Sequence, residues 1–198
     1  KNQDHFTSIC MRLAKRAGVF FLISTALMVA CDNVQQPKPK AQLRLQYPQP
    51  DYKQLPDTYP FNFEYNNWVQ LKKIAKTAPD LFYPKMKATL YLSYEGVENN
   101  IDSLLNDAYQ LPGKHMIKAE EIPERVFMAP EKRVYGTLFT VVGNAASQLQ
   151  FFLTDSTDHF LMGSLYFYSR PNYDSIMPAA KYVERDVIHL METLHWKD

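Results

Sequence analysis

Residues 133–174 read RVYGTLFTVVGNAASQLQFFLTDSTDHFLMGSLYFYSRPNYD, and this stretch decides the fold. It divides into three runs rich in Val, Phe, Tyr and Leu, separated by turn residues. Val134–Val142 is the first, Gln148–Thr154 the second and Phe160–Tyr168 the third; Gly143–Ser147 and Asp155–Asp158 turn the chain between them. This is the pattern of an antiparallel meander. In the middle run Leu149, Phe151 and Leu153 alternate with Gln148, Gln150 and Thr154, and only Phe152 interrupts the polar face. The third run is apolar on both faces, with Leu161, Leu165 and Phe167 on one and Phe160, Met162 and Tyr166 on the other. A strand of that kind needs cover on both sides.

Outward from the meander, two stripes supply the cover. Val97, Ile101, Leu104, Leu105 and Ala108 fall at helical spacing, with Asn99 or Asn100 as the cap and Pro112-Gly113 as the stop. Ile176, Ala180, Val183, Val187, Leu190 and Leu194 form a second stripe, capped by Asp174 or Ser175, with Pro178 in the first turn. Met86–Tyr94 alternates cleanly and reads as a fourth strand. Leu43–Tyr47 and Phe61–Tyr65 alternate over shorter spans, Trp68–Ala78 reads as a helix ended by Pro79, and Lys114–Pro130 reads as a charged loop with one short strand or turn. The fold class is therefore α+β, an antiparallel sheet covered by helices, in one domain over residues 61–198.

The first sixty residues are organised differently. Arg12, Lys15 and Arg16 precede a 14-residue apolar run, Ala17–Ala30, which is short for a spanning helix and suited to a signal peptide. Met11 is a plausible start. The run ends Leu27-Met28-Val29-Ala30-Cys31, which resembles a bacterial lipobox with Met28 where Leu is usual. A lipobox implies cleavage after Ala30 and acylation of the Cys31 thiol, with palmitate among the chains it can carry; the plainer alternative is an uncleaved anchor helix with an incidental cysteine. Residues 31–60 then hold Pro37, Pro39, Pro48, Pro50, Pro56 and Pro60 and read as a semi-rigid tether. Cys10 and Cys31 are the only cysteines, so residues 61–198 have no disulfide framework and no cysteine metal site. The net charge is +1, and loss of residues 1–30 makes it −2, which excludes a basic field for nucleic acid.

Few residues suggest chemistry. Asp155, Ser156, Asp158 and His159 crowd into one turn. A hydrolase would make Ser156 the nucleophile and His159 its base, but no G-x-S-x-G elbow surrounds the serine. A metal would use Asp155, Asp158 and His159, without a recognised ligand spacing or a clear fourth ligand. A polar β-turn is the expected reading, and neither a catalytic residue nor a metal or other cofactor is assigned. Asp186-x-x-His189 and Glu192-x-x-His195 have the spacing of di-iron helices, but such sites draw on several helices, so a solvated face is expected. No phosphate loop occurs. Tyr47, Tyr52, Tyr59, Tyr65 and Trp68 lie among the prolines; they either form an aromatic surface for a partner or, as expected, clamp an N-terminal arm onto its own domain.

Three longer runs carry a resemblance: PKPKAQLRLQYPQPDY at 37–52, YPKMKATLYLSY at 83–94, and residues 134–175 with their GNAAS, FFLTDST-x-HFL and RPNYDS segments. Together they resemble the gliding-motility lipoprotein GldD family of Bacteroidetes over essentially the whole chain after Cys31, least well over Asn66–Asp80. The resemblance implies a cell-envelope lipoprotein needed for gliding and for the associated type IX secretion machinery, held to a membrane and facing the periplasm. It implies no catalytic residues. The fold also resembles the Mog1/PsbP-type α/β/α sandwich, an analogy without functional content. The expected function is that of a non-enzymatic accessory or scaffold, with Asp155, Ser156, Asp158, His159, Tyr47 and Tyr52 as candidate partner surface. The alternatives are a periplasmic module for a small ligand or glycan, then a hydrolase centred on Ser156 and His159.

Overall fold

Alternation along the strands of the meander sorts its side chains onto two faces, and each face carries its own core. The computed structural model describes residues 47–72, 77–114, 118–169 and 172–197. Strands β1 (Tyr52–Gln54), β2 (Phe61–Asn62), β3 (Glu64–Asn66), β4 (Gln70–Lys72), β5 (Asp80–Tyr83) and β6 (Ala88–Gly96) come first. Helix α1 (Ile101–Gly113) follows, then β7 (Ala119–Glu121), β8 (Glu124–Ala129), β9 (Val134–Thr140), β10 (Val142–Gly143), β11 (Ser147–Thr154) and β12 (His159–Phe167). Helix α2 (Tyr173–Thr193) and β13 (His195–Trp196) complete the chain. Seven strands form the main sheet in the order β4-β5-β6-β12-β11-β9-β8, and every neighbouring pair is antiparallel.

Leu149, Phe151, Leu153, Leu161 and Leu165 pack with Val183, Val187 and Leu190 of α2, and with Leu194 just after it, in the larger core. Phe152, Phe160 and Phe139 pack with Leu104 and Ala108 of α1 in the smaller one. The two helices therefore lie on opposite faces of the sheet. Phe152, which interrupts the polar face in the sequence, is the residue α1 sits on. Gly163 is needed where it stands: a Cβ there would come within 2.2 Å of the Phe151 ring across the β11–β12 pair.

Several elements differ from expectation. The part of 68–78 that is described holds a strand, not a helix: Gln70–Lys72 is the outer arm of a hairpin with β5. Its apolar residues Val69 and Leu71 fit either period, and pairing with β5 decides. Lys114–Pro130 contains β8, a six-residue edge strand of the main sheet. The packed domain also begins before residue 61, since β1 pairs with β3 and Leu55 and Tyr59 are buried. Helix α2 starts at Tyr173, whose N–H is capped by Asn144 Oδ1 at 2.9 Å, not by Asp174 or Ser175. Pro178 then falls in its second turn. The signal segment, Cys31 and Leu43–Gln46 lie outside the described residues, as does His115.

Candidate functional site

The turn between β11 and β12 is organised by one carboxylate. Asp155 Oδ1 accepts from the backbone N–H groups of Thr157, Asp158 and His159, each within 3.0 Å. Oδ2 accepts from the Thr157 hydroxyl at 2.9 Å and from Arg133 Nη2 at 3.1 Å. An Asp at the head of a tight turn is suited to this, because its short side chain reaches back to the amides that follow. Burial disfavours the charged form, but the Asp158, His159 and Thr157 N–H groups and the Thr157 hydroxyl outweigh it and hold the carboxyl down at about 2. Ser156 occupies the left-handed region at φ +70°, and its N–H is taken by Thr154 Oγ1.

His159 is drawn away from the serine side of the turn. Its Nδ1 shares a 2.7 Å hydrogen bond with the Tyr94 hydroxyl, and its ring stacks on Trp196 at 5.0 Å. Trp196 is itself fixed by donating to the Arg133 carbonyl and by the pairing of β13 with β2. Arg133, also left-handed at φ +54°, ends a 3-10 turn over Pro130–Lys132 and donates a second bond to Thr157 Oγ1. The result is a braced polar platform from which Ser156, Thr157, Asp158 and the Arg133 head group project into solvent; the Asp158 side chain is 71% exposed. Arg133, Tyr94 and Trp196 were not singled out from the sequence. Arg133 has a local signal, a cation just before the strand that pairs with β11, whereas Trp196 has none.

Tyr47 and Tyr52 do not join this platform. Tyr47 packs on Tyr182 of α2, and Tyr52 stacks on His189 at 3.7 Å while its hydroxyl donates to Asp186. Tyr182 accepts from Asn66 Nδ2 and Trp68 Nε1 and donates to the Pro48 carbonyl. These contacts clamp residues 47–68 onto the domain. Asp186 is buried and not on a solvated face; Asn66 and Tyr83 also reach its carboxyl. Burial raises this carboxyl above its ordinary value, the bonds from Tyr52, Asn66 and Tyr83 and the Arg185 charge offsetting part of the rise. His189 pairs with Glu64 at 2.8 Å, across elements and not along its own helix. Among the described residues no three His, Cys, Asp or Glu side chains gather at a metal-sized site, and no helix is long and apolar enough to cross a membrane.

Fold and site together define an α+β domain with a braced polar turn between β11 and β12. The chain belongs to the gliding motility lipoprotein GldD family, whose model matches residues 32–196. It is thus a lipoprotein associated with gliding motility and with the cell envelope. No curated protein matches it.

Proposed function

We propose that the chain is a periplasm-facing, lipid-anchored accessory protein that holds partner proteins of the gliding and type IX secretion machinery without catalysing a reaction. Cys31 is the anchor point, and the braced turn is the partner surface. One observation carries this: Asp155 spends its entire carboxylate on fixing the turn, while Ser156, Thr157 and Asp158 are exposed at its tip, Thr157 and Asp158 steadied by Arg133. Such a turn costs no further ordering when a partner docks on it. The left-handed Ser156 is backbone strain of the kind found at functional surfaces, and it persists because its surroundings over-determine it. The placement of one helix on each face of the sheet supports the likeness to Mog1/PsbP-type sandwiches, which concerns fold alone.

Charge reversal at the tip tests the surface. Asp158→Lys is expected to accumulate normally yet reduce colony spreading, and to lose crosslinked partners recovered by pull-down from its own cells. Asp107→Lys, an exposed position on α1, is expected to behave as wild type. Equal gliding and equal crosslinking in the two variants would contradict the proposal.

A further inference from the structure

On the sheet face that carries α1, beside the C-terminal end of that helix, β5, β6 and β12 leave a cleft of about 390 Å³. This lies toward the lower end of the range of small-molecule sites, about 300–1,000 Å³. Asp80, Tyr91, Ser93, Ser164 and Tyr166 line it, with Leu111 of α1 as a wall. All five sheet residues point the same way, opposite to Leu81, Leu90 and Leu165, which belong to the large core.

The polar groups here are poorly satisfied by the protein itself. Asp80 is 3% exposed, and its Oδ2 has no hydrogen-bond partner among the described residues. Burial raises its carboxyl, with the Leu92 N–H and the Lys72 charge acting in the opposite sense. Behind the cleft lining, Gln150 stands opposite Ser164 in the β11–β12 register, hence on the same face, and is 1% exposed; neither its amide nitrogen nor its amide oxygen has a partner among the described residues. Buried polar groups left open are costly, and they mark places where a ligand or water completes the network. Tyr91 and Tyr166 meet edge-to-face at 5.8 Å and give the cleft an aromatic margin, Tyr91 being 36% exposed.

The donor and acceptor set selects the ligand. A carboxylate oxygen with free lone pairs asks for O–H or N–H donors. Two serine hydroxyls both donate and accept, and tyrosine faces pack against C–H bonds. A cation is disfavoured because Lys72, the cross-strand neighbour of Asp80, already brings positive charge to this face and sits over the Phe82 ring at 3.5 Å. We infer that this cleft binds a neutral saccharide unit, its hydroxyls on Asp80, Ser93 and Ser164 and its C–H face on the Tyr91–Tyr166 margin. The unit could come from N-acetylated cell-wall glycan or from an exported neutral polysaccharide; the chemistry is shared.

Calorimetric titration of the full chain, purified in a detergent without a sugar headgroup, distinguishes them. The probes are triacetylchitotriose, cellotriose and maltotriose, with choline chloride as the cationic control. At least one trisaccharide is expected to bind with Kd below about 1 mM. Binding of triacetylchitotriose alone assigns an acetamido sugar, and binding of cellotriose or maltotriose a plain hexose. Asp80→Asn is expected to weaken binding about tenfold, the scale of one hydrogen bond to a charged group. Tyr91→Ala, at a more exposed position, is expected to weaken it by a similar factor and decides the matter if Asp80→Asn fails to fold. No binding of any trisaccharide, binding of choline in their place, or trisaccharide binding unchanged in a folded variant would overturn the inference.

Discussion

Asp155 and Asp186 expose equally little surface, 5% and 4%, and burial pushes both carboxyls up, yet the net outcome is opposite: Asp155 is held down, and Asp186, which lies deeper, is raised. Asp155 sits in a five-residue turn where three backbone N–H groups, a hydroxyl and Arg133 converge on one carboxylate. Backbone dipoles fixed by the turn need no side-chain ordering, so they stabilise the charge strongly. Asp186 sits mid-helix on α2, where the helix's own amides are already used. Its donors are two phenols and an amide from β1, β3 and β5, and they do not make up for lost water. The difference teaches that what a buried carboxylate costs depends on how deep it lies and on where its donors come from, and that the two aspartates have different jobs. One sets the shape of an exposed tip; the other ties the N-terminal arm to the helix.

The largest effect is expected at Asp155. Asp155→Ala strands three N–H groups and Arg133, and should cost about 3 kcal/mol, read by chemical denaturation. Because this carboxyl is held at about 2, against 3.8 ordinarily, its contribution is fully present above the ordinary value and is lost as the pH falls through 2. That contribution is about 2 kcal/mol. The melting temperature of Asp155→Ala should therefore approach that of wild type as the pH is lowered from 5 toward 2. A constant gap over that window would show that ionisation of Asp155 is irrelevant to the turn.

At Asp186 the sign reverses and the effect is smaller. Its folded-state value is raised, so it costs stability as the pH rises above the ordinary carboxyl range. Asp186→Asn should change stability by no more than about 1 kcal/mol at neutral pH, since replacing a buried charge by a neutral polar group relieves desolvation. Its melting temperature relative to wild type should climb with pH, where that of Asp155→Ala falls. Parallel pH trends in the two variants would break the comparison.

The contrast also explains how much was legible in the sequence. The meander was, because β9, β11 and β12 alternate and are bounded by Gly, Asn, Asp and Ser. The turn at Asp155 was, because its backbone donors and the Thr157 hydroxyl lie within four residues; the Arg133 brace, 22 residues upstream, was not. The two helical stripes were read correctly apart from their first residues: α2 is capped by Asn144, 29 positions upstream. Edge strand β8 was missed because its exposed residues, Val126 and Met128, are apolar, and its inward ones, Phe127 and Ala129, gave no contrast. Asp186 looked solvated because its partners are more than a hundred residues earlier in the chain. The cleft at Asp80 was missed for the same reason: its wall and floor come from three strands and a helix.

The smallest expected effect bears most directly on whether the turn is built for shape or for chemistry. Ser156→Ala keeps every bond that Asp155 makes, and alanine tolerates the left-handed backbone about as well as serine. Colony spreading and secretion are measured in cells where the variant is as abundant and as well folded as wild type. Both activities should be retained. A well-folded, normally abundant Ser156→Ala that abolishes motility as completely as deletion would contradict a shape-only turn and place a nucleophile at residue 156.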